Sequence, residues 1–243
     1  KEGIAMTNYL FDVDGTLTPS RTEIDNEFKH FFGDWVLEQQ SLNNKVFFVT
    51  GSDRDKTVEQ VGLALWRLVD GSYQCCGNQL YKNGKLIKES KWRMSAYLHL
   101  DLMLAMERSP WFGKAKDHIE ERAGMVNFST LGRSATTKQR KAYYMWDKAV
   151  RERETIANSL SFAYPKLEFS VGGEISIDIH PKGKNKSQVL NDMIGTTVFF
   201  GDRCEATGND FPIASKADVC HHVLDWRETH SILRNEYSEH KWS

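Results

Sequence analysis

Long apolar runs are missing from this 243-residue chain, and so is any surplus of charge. No stretch approaches the roughly 18 apolar residues that a membrane-spanning helix needs, and the first residues contain no apolar segment of a secretory signal. Lysine and arginine number 32 against 33 aspartates and glutamates, a net charge of −1. That balance argues against general binding to nucleic acid or a membrane surface. Cysteine is scarce as well. Its four copies, at 75, 76, 204 and 220, show no CxxC spacing, which speaks against zinc and against a disulfide framework. They read as reduced thiols of a cytoplasmic protein, and the N-x-S matches at Asn127 and Asn185 then read as accidental. Repeats and low-complexity tracts are absent. Met6 follows close behind Lys1, so Lys1 to Ala5 are expected to be foreign to the native chain.

What is present is ordinary in amount and informative in order. The hydrophobic share of 40% is enough to bury a core in one large domain or two small ones. Residues 9–18, YLFDVDGTLT, organise the rest. Tyr9 to Phe11 reads as a buried strand of a parallel sheet, ending in Asp12 and Asp14 with Gly15 to permit a turn. In an open α/β sheet, ligands bind beyond the carboxyl ends of the strands. Two acids at such an end suit a hard cation and a phosphoryl group, one acid as nucleophile and the other as general acid/base. Asp and Gly are also ordinary turn residues, so the motif needs support from the remainder of the chain.

That support comes from two further apolar runs. Residues 45–49 (KVFFV) end in Thr50-Gly51-Ser52, and residues 197–200 (TVFF) end in Gly201-Asp202. Aromatic spacing from Ile24 to Val36 predicts a helix over 22–40, and Val58 to Leu68 another. Asn83-Gly84 predicts a hairpin. From about Ser90 the texture changes: a helix around Leu98 to Met106, a strand over 124–131, a long charged helix over 137–160, and strands over 167–171 and 174–180 joined at Gly172-Gly173. The parallel pattern then returns, with a helix over 185–193, a short strand near 218–220 and a last helix over 227–235. The expected fold class is α/β: a Rossmann-like parallel-sheet core, residues 1–82 and 183–243, with an inserted α+β cap, residues 83–182.

Three strand ends carrying Asp12-x-Asp14, Thr50-Gly-Ser52 and Gly201-Asp202, with Lys186 opening the helix before the last, together resemble the haloacid dehalogenase superfamily. The resemblance implies a chemistry that suits these residue types. Asp12 attacks phosphorus and becomes an aspartyl phosphate, and Asp14 exchanges the proton with the leaving and entering oxygens. Mg²⁺, held by Asp12, Asp202 and the backbone carbonyl of Asp14, draws charge from the phosphoryl oxygens. Thr50 or Ser52 and Lys186 donate to the same oxygens.

A closer resemblance covers nearly the whole chain. Residues 12–21 (DVDGTLTPSR), the stretch from Arg122 through Gly124-Met125-Val-Asn127 to Gly132-Arg133, then Arg140, then Gly172-Gly173-Glu-Ile-Ser176-Ile-Asp178, and Phe199-Phe-Gly-Asp202 followed by Gly208-Asn209-Asp210, are similar to the eukaryotic-type phosphomannomutases. The resemblance implies a mutase acting on hexose phosphates and activated by a hexose 1,6-bisphosphate. Substrate would meet Arg21, Arg122, Met125, Asn127, Arg133, Arg140, Ser176 and Asp178, Asn209 and Asp210 would support the site, and the cap would form a homodimer. Period two independently places Ser176 and Asp178 on one face of a strand and Ile175, Ile177 and Ile179 on the other. Guanidinium forks suit a second phosphate, which a mutase must hold and a phosphatase need not.

The chain departs from that family at several points: Ala123 where Asn is usual, Thr130 near a usual Pro, Thr50 for Gly, Gly77-Asn78-Gln79 for a Glu-Asn-Gly turn, and Ala206-Thr207 before Gly208. None removes a charged catalytic group. Thr50 is closer to the general superfamily pattern, which leaves a sugar-phosphate phosphatase as the alternative. A catalytically silent binding protein is disfavoured, because Asp12 and Asp14 are both intact.

Overall fold

A computed structural model describes residues 6–206 and 208–239; the expectation for Lys1 to Ala5 lies outside them. The chain divides into two compact units, one of residues 1–89 with 185–243 and one of residues 90–184. In the first, a seven-stranded sheet runs in the order β11-β10-β1-β2-β3-β4-β5. Its strands are β1 (Thr7–Phe11), β2 (Lys45–Val49), β3 (Gly71–Gln74), β4 (Gln79–Lys82), β5 (Lys85–Glu89), β10 (Thr196–Gly201) and β11 (Val219–His222). Strands β11, β10, β1, β2 and β3 are parallel, and β4 and β5 are added antiparallel.

The apolar runs are continuous because the central strands are covered on both faces. Tyr9, Phe11, Val46, Phe48, Val198 and Phe200 turn to one face, where they join Phe28, Phe32 and Trp35 of α1 (Asn26–Ser41), α3 (Leu63–Leu68) and Leu233 of α8 (Trp226–Glu236). Leu10, Phe47, Val49 and Phe199 turn to the other, against Val189 and Ile213. The predicted first helix starts four residues later than its apolar spacing implies, because Asp25 caps it by accepting from the backbone N–H groups of Glu27 and Phe28.

The expected helix over Val58 to Leu68 is two, α2 (Arg54–Val61) and α3, broken at Gly62 with φ of 84°. Residues 186–192 form a 3₁₀ rather than an α-helix. The hairpin forms where Asn83-Gly84 predicts it, both residues at positive φ. Both its strands lie in the core sheet, so a boundary at 82/83 cuts through the hairpin and the division falls after Glu89 instead.

The second unit is a four-stranded antiparallel sheet, ordered β6-β7-β9-β8. It comprises β6 (Ile119–Arg122), β7 (Met125–Phe128), β8 (Leu167–Gly172) and β9 (Ser176–Pro181). Helices α4 (Ala96–Arg108) and α6 (Glu152–Ala163) bury Leu98, Leu102, Ala157 and Leu160 against Val126, Phe128, Ile177 and Ile179. The single charged helix expected over 137–160 is α5 (Thr137–Val150) followed by α6, with Arg151 left-handed between them at φ 56°. The break lets Asp147, near the end of α5, accept from both the backbone N–H and the Nε of Arg153, at 2.9 and 2.7 Å. The pair is buried, and the same guanidinium donates to the carbonyls of Gly172, Gly173 and Ser176. A buried charge so fully hydrogen-bonded outweighs unbroken helical geometry.

Phe32 lies fully buried in ring contact with Phe11, Trp35 and Phe48. Phe32→Ala is expected to cost about 3–5 kcal/mol in the urea unfolding of the core unit. A loss below about 1 kcal/mol would mean that this aromatic cluster is not close-packed.

Candidate active site

Parallel pairing in register brings three strand ends together. Phe11 stands beside Phe200 on one side and Phe48 on the other, so Asp12, Thr50 and Asp202 all emerge at the same sheet edge. The backbone N–H of Asp12 still donates to Phe200 O at 2.9 Å, which fixes where the carboxylate leaves the strand. The chain then turns at Gly15, with φ of 84°. A Cβ on Gly15 would lie 2.5 Å from Asp202 Oδ2, so glycine is required by both conformation and space.

At this edge Lys186 is completely buried, and its ammonium donates to Asp12 Oδ1 and Asp210 Oδ1, each at 2.6 Å. Burial alone would lower its pKa, but the carboxylates of Asp12 and Asp210 outweigh burial and push it up. The Asp12 carboxyl is held well above the usual carboxylate range, first by burial and then by the charge of Asp210, with Lys186 opposing. Asp202 is pushed up to about 6, chiefly by burial and next by Asp210. Asp12, Asp202 and Asp210 offer oxygens within 4.8 Å of one another. Three carboxylates around one buried ammonium leave excess negative charge, and an all-oxygen set of this kind fits a hard divalent cation.

Asp210, expected only to support the site, is thus a full member of the acid cluster. Asp14 stands apart from it: its Oδ1 accepts from the backbone N–H of Arg21 and from Gln60 Nε2. Thr50 is buried, and its Oγ1 accepts from the Ser52 N–H at 3.1 Å. Asn209 Oδ1 is buried with no hydrogen-bond partner among the described residues. Arg21 is exposed and at φ 60°.

In the cap, cross-strand register aligns Glu120, Asn127, Asp178 and Ser170 in one row across all four strands. Asn127 donates to Asp178 Oδ1 at 2.6 Å. Arg133 Nη1 donates to Asn127 Oδ1 and, at 3.4 Å, to Ser176 Oγ. Glu120 accepts from Arg122 Nε at 2.9 Å and is ion-paired with Arg133 Nε. Arg122, Asn127, Arg133, Ser176 and Asp178 therefore form one constellation. Arg140 reaches it through the backbone, with Nε and Nη2 donating to the carbonyls of Ala135 and Arg133. Met125 is buried opposite Arg122 in the β6–β7 pairing.

A model of the eukaryotic phosphomannomutases matches residues 33–239. Phosphomannomutase 1 of Homo sapiens is 35% identical over 239 residues, spanning 90% of this chain and 88% of its own. The phosphomannomutase of Saccharomyces cerevisiae is 32% identical over 245 residues, spanning 93% and 92%. The chain belongs to the eukaryotic phosphomannomutase family. Among solved structures, a subclass IIB sugar phosphatase of the haloacid dehalogenase superfamily shares the fold with a TM-score of 0.58 at 16% identity, over 93% of this chain and 98% of that one. The C-terminal domain of a trehalose-6-phosphate phosphatase of C. albicans does so with a TM-score of 0.59 at 16% identity, over 87% and 73%.

Three residues that hold the two clusters in place are not singled out by the motifs: Gln60 in the core, and Glu120 and Arg153 in the cap. Glu120 had a usable signal, since Glu120 and Arg122 alternate on β6, but four polar-rich residues do not read as a strand. Gln60 and Arg153 carry none.

The raised Asp202 carboxyl has a pH consequence. Between about pH 4 and pH 6 the unfolded chain has released a proton that the folded, metal-free protein still holds. Metal-free stability therefore falls as pH rises through that window. Millimolar Mg²⁺ is expected to raise Tm at pH 7.5 relative to a chelator control, with the gain shrinking as pH falls through 6, because protons compete for the same oxygens. An equal gain at pH 5 would remove Asp202 from the cation site.

Proposed function

We propose that this chain interconverts mannose 6-phosphate and mannose 1-phosphate, transferring phosphoryl through Asp12 with a hexose 1,6-bisphosphate as activator. The observation that carries the reading is that the cap unit holds its own arginine constellation, Arg122 and Arg133 around Asn127 and Ser176. The core acid cluster alone suffices to hydrolyse one phosphate. A mutase must also hold the phosphate that is not reacting, and then accept the bisphosphate turned end for end.

In the first half-reaction an Asp12 oxygen forms a bond to phosphorus, the bond to the sugar oxygen breaks, and Asp14 gives that oxygen its proton. In the second, the other sugar hydroxyl attacks the aspartyl phosphate and returns a proton to Asp14. Lys186 fixes the Asp12 carboxylate and balances charge beside it, while Thr50 or Ser52 donates to the phosphoryl oxygens. A Mg²⁺ held by Asp12, Asp202 and the Asp14 carbonyl, with Asp210 beside them, would supply Lewis acidity to the phosphoryl group. Arg21, Arg140 and Met125 belong to substrate binding in this reading, as does Asp178.

The reading extends to a cytoplasmic homodimer formed through the cap. On α4, Leu98 and Leu102 are buried while Tyr97, Leu100 and Leu104 are exposed, leaving an apolar stripe on the outer face of that helix. Beside it a groove of about 490 Å³ is lined by Leu104, Trp146, Val150 and Ile156. Among the described residues no helix is long and apolar enough to cross a membrane, and all four cysteines are free thiols. Leu104→Glu is expected to convert a dimer to a monomer in light scattering. A monomeric parent protein would reject the dimer.

Phosphorus NMR with mannose 1-phosphate, Mg²⁺ and catalytic glucose 1,6-bisphosphate should show a 6-phosphate signal growing at constant total sugar phosphate. Growth of inorganic phosphate alone would make the protein a phosphatase, the outcome that Thr50 keeps open. Asp12→Asn should abolish both. Arg133→Ala should cut mutase turnover by about a hundredfold or more while leaving hydrolysis of a small aryl phosphate within a few-fold, the loss expected of a charge-assisted phosphate contact. Equal losses on the two substrates would remove Arg133 from the distal phosphate.

A further inference from the structure

Gln60, in the last turn of α2, is only 4% exposed. Its Nε2 donates to Asp14 Oδ1 at 2.9 Å and to Thr18 Oγ1 at 3.2 Å. The backbone N–H of Arg21 donates to the same Asp14 oxygen, so Oδ1 takes two donors from separate segments. No hydrogen bond reaches Asp14 Oδ2 among the described residues. The Gln60 backbone adds a third tie, its carbonyl accepting from the Ile24 N–H at 2.8 Å.

The amide's own oxygen, Oε1, is buried and has no partner among the described residues. A buried acceptor without a donor is costly, and Leu or Met would fill the same space without one. Turning the amide over would set Oε1 against the carboxylate, so Asp14 dictates its orientation. The side chain is therefore present for its donor and not for packing.

We propose that Gln60 is the positioning residue of the acid/base: it pins Asp14 Oδ1 and so leaves Oδ2 as the oxygen that exchanges the proton. The inference rests on Asp14 being that acid/base. When the sugar–phosphorus bond breaks, the proton on Oδ2 passes to the sugar oxygen, and the attacking hydroxyl later returns one to the same atom. Gln60 touches neither substrate nor phosphorus.

Leaving groups separate this role from a structural one. A sugar alkoxide must be protonated as it departs, whereas 4-nitrophenolate leaves as a stable anion without help. Gln60→Leu should slow single-turnover phosphorylation of Asp12 from glucose 1,6-bisphosphate by about ten- to a hundredfold, part of the range general acid catalysis spans. The nitrophenolate burst from 4-nitrophenyl phosphate should stay within about threefold. KM for the sugar phosphate should hold, and Tm should hold or rise because the orphaned oxygen is gone. Gln60→Glu, of the same shape but bearing an acceptor toward Asp14, should show the same split.

Equal slowing of both donors, or of neither, would overturn the proposal. Asp14→Asn provides the control: it should show a larger split of the same kind. A split in Asp14→Asn but not in the Gln60 variants sinks the positioning role alone. No split in Asp14→Asn sinks the acid/base assignment, and the inference with it.

Discussion

A single buried ammonium holds the acidic end of the core together. Lys186 has no exposed surface and bonds two carboxylates, Asp12 and Asp210, that would otherwise repel across a few ångströms of low-dielectric interior. Removing one acid would leave the cation a single carboxylate partner, and removing the cation would leave two buried acids without their counter-charge. The rest of the core is arranged to satisfy that constraint. Parallel β10, β1 and β2 end level with one another, the 3₁₀ turn opened by Lys186 is capped by Asn185, and Gly15 leaves room for Asp202 where any side chain would collide. The site is still short of positive charge. One ammonium among three acids leaves a net negative charge, which suits a dication and the electropositive phosphorus of a phosphate ester.

In the proposed reading the cap solves a different problem, that of keeping phosphate-binding arginines ordered in advance. A free arginine samples many rotamers and must give them up on binding. Here Glu120 takes Arg122 and Arg133 by their Nε atoms, Asn127 and Ser176 take one Nη of Arg133, and Arg140 braces the backbone carbonyl of Arg133. The buried Arg153–Asp147 pair then fastens the turn from which Ser176 departs. The left-handed Arg151 and the split helix are the cost of that arrangement. Ordering is invested before the ligand arrives, and geometry, more than raw charge, distinguishes this arginine set from solvated surface residues.

Legibility in the sequence follows from the range of the interaction responsible. Strands β1, β2 and β10 announce themselves because burial on both faces writes an uninterrupted apolar run, and the acids beyond them stand where such runs stop. The hairpin at Asn83-Gly84 is equally local. Strand β3 is not, since Gly71-Ser-Tyr-Gln74 is buried throughout without being apolar. The helix break at Arg151 is similarly hidden, because it is decided by the contacts of Arg153 with Asp147 and the β8–β9 turn. The one at Gly62 is local, a glycine at positive φ. Asp210 reads as an ordinary turn acid until Lys186, 24 residues away, is seen against it. Gln60 sits on a plainly amphipathic helix, and its worth depends on a carboxylate 46 residues distant. The motif residues were recoverable because their chemistry and their chain position coincide. The residues that hold them in place were not, because packing alone brings them there.

Several polar atoms without partners lie close to the acid cluster. Thr16 Oγ1, Gln60 Oε1 and Asn209 Oδ1 are all buried and unsatisfied among the described residues. Thr16 follows the Asp12-x-Asp14 turn, Gln60 grips Asp14, and Asn209 precedes Asp210. A sequence tuned only for stability would replace each with an apolar residue of similar size, since an orphaned buried acceptor is worse than no acceptor. The aromatic cluster around Phe32 and the isoleucine face of β9 show no such compromise. Trp111 Nε1 and Glu152 Oε1, in the cap, are buried without partners among the described residues too, so such compromises are not confined to the acid cluster. Beside it they are what is expected when function and stability set different demands on the same positions. Burial sharpens every electrostatic interaction the site needs, and it also makes each unpaired atom expensive. The fold tolerates both because the two faces of its central sheet are packed well enough to carry the difference.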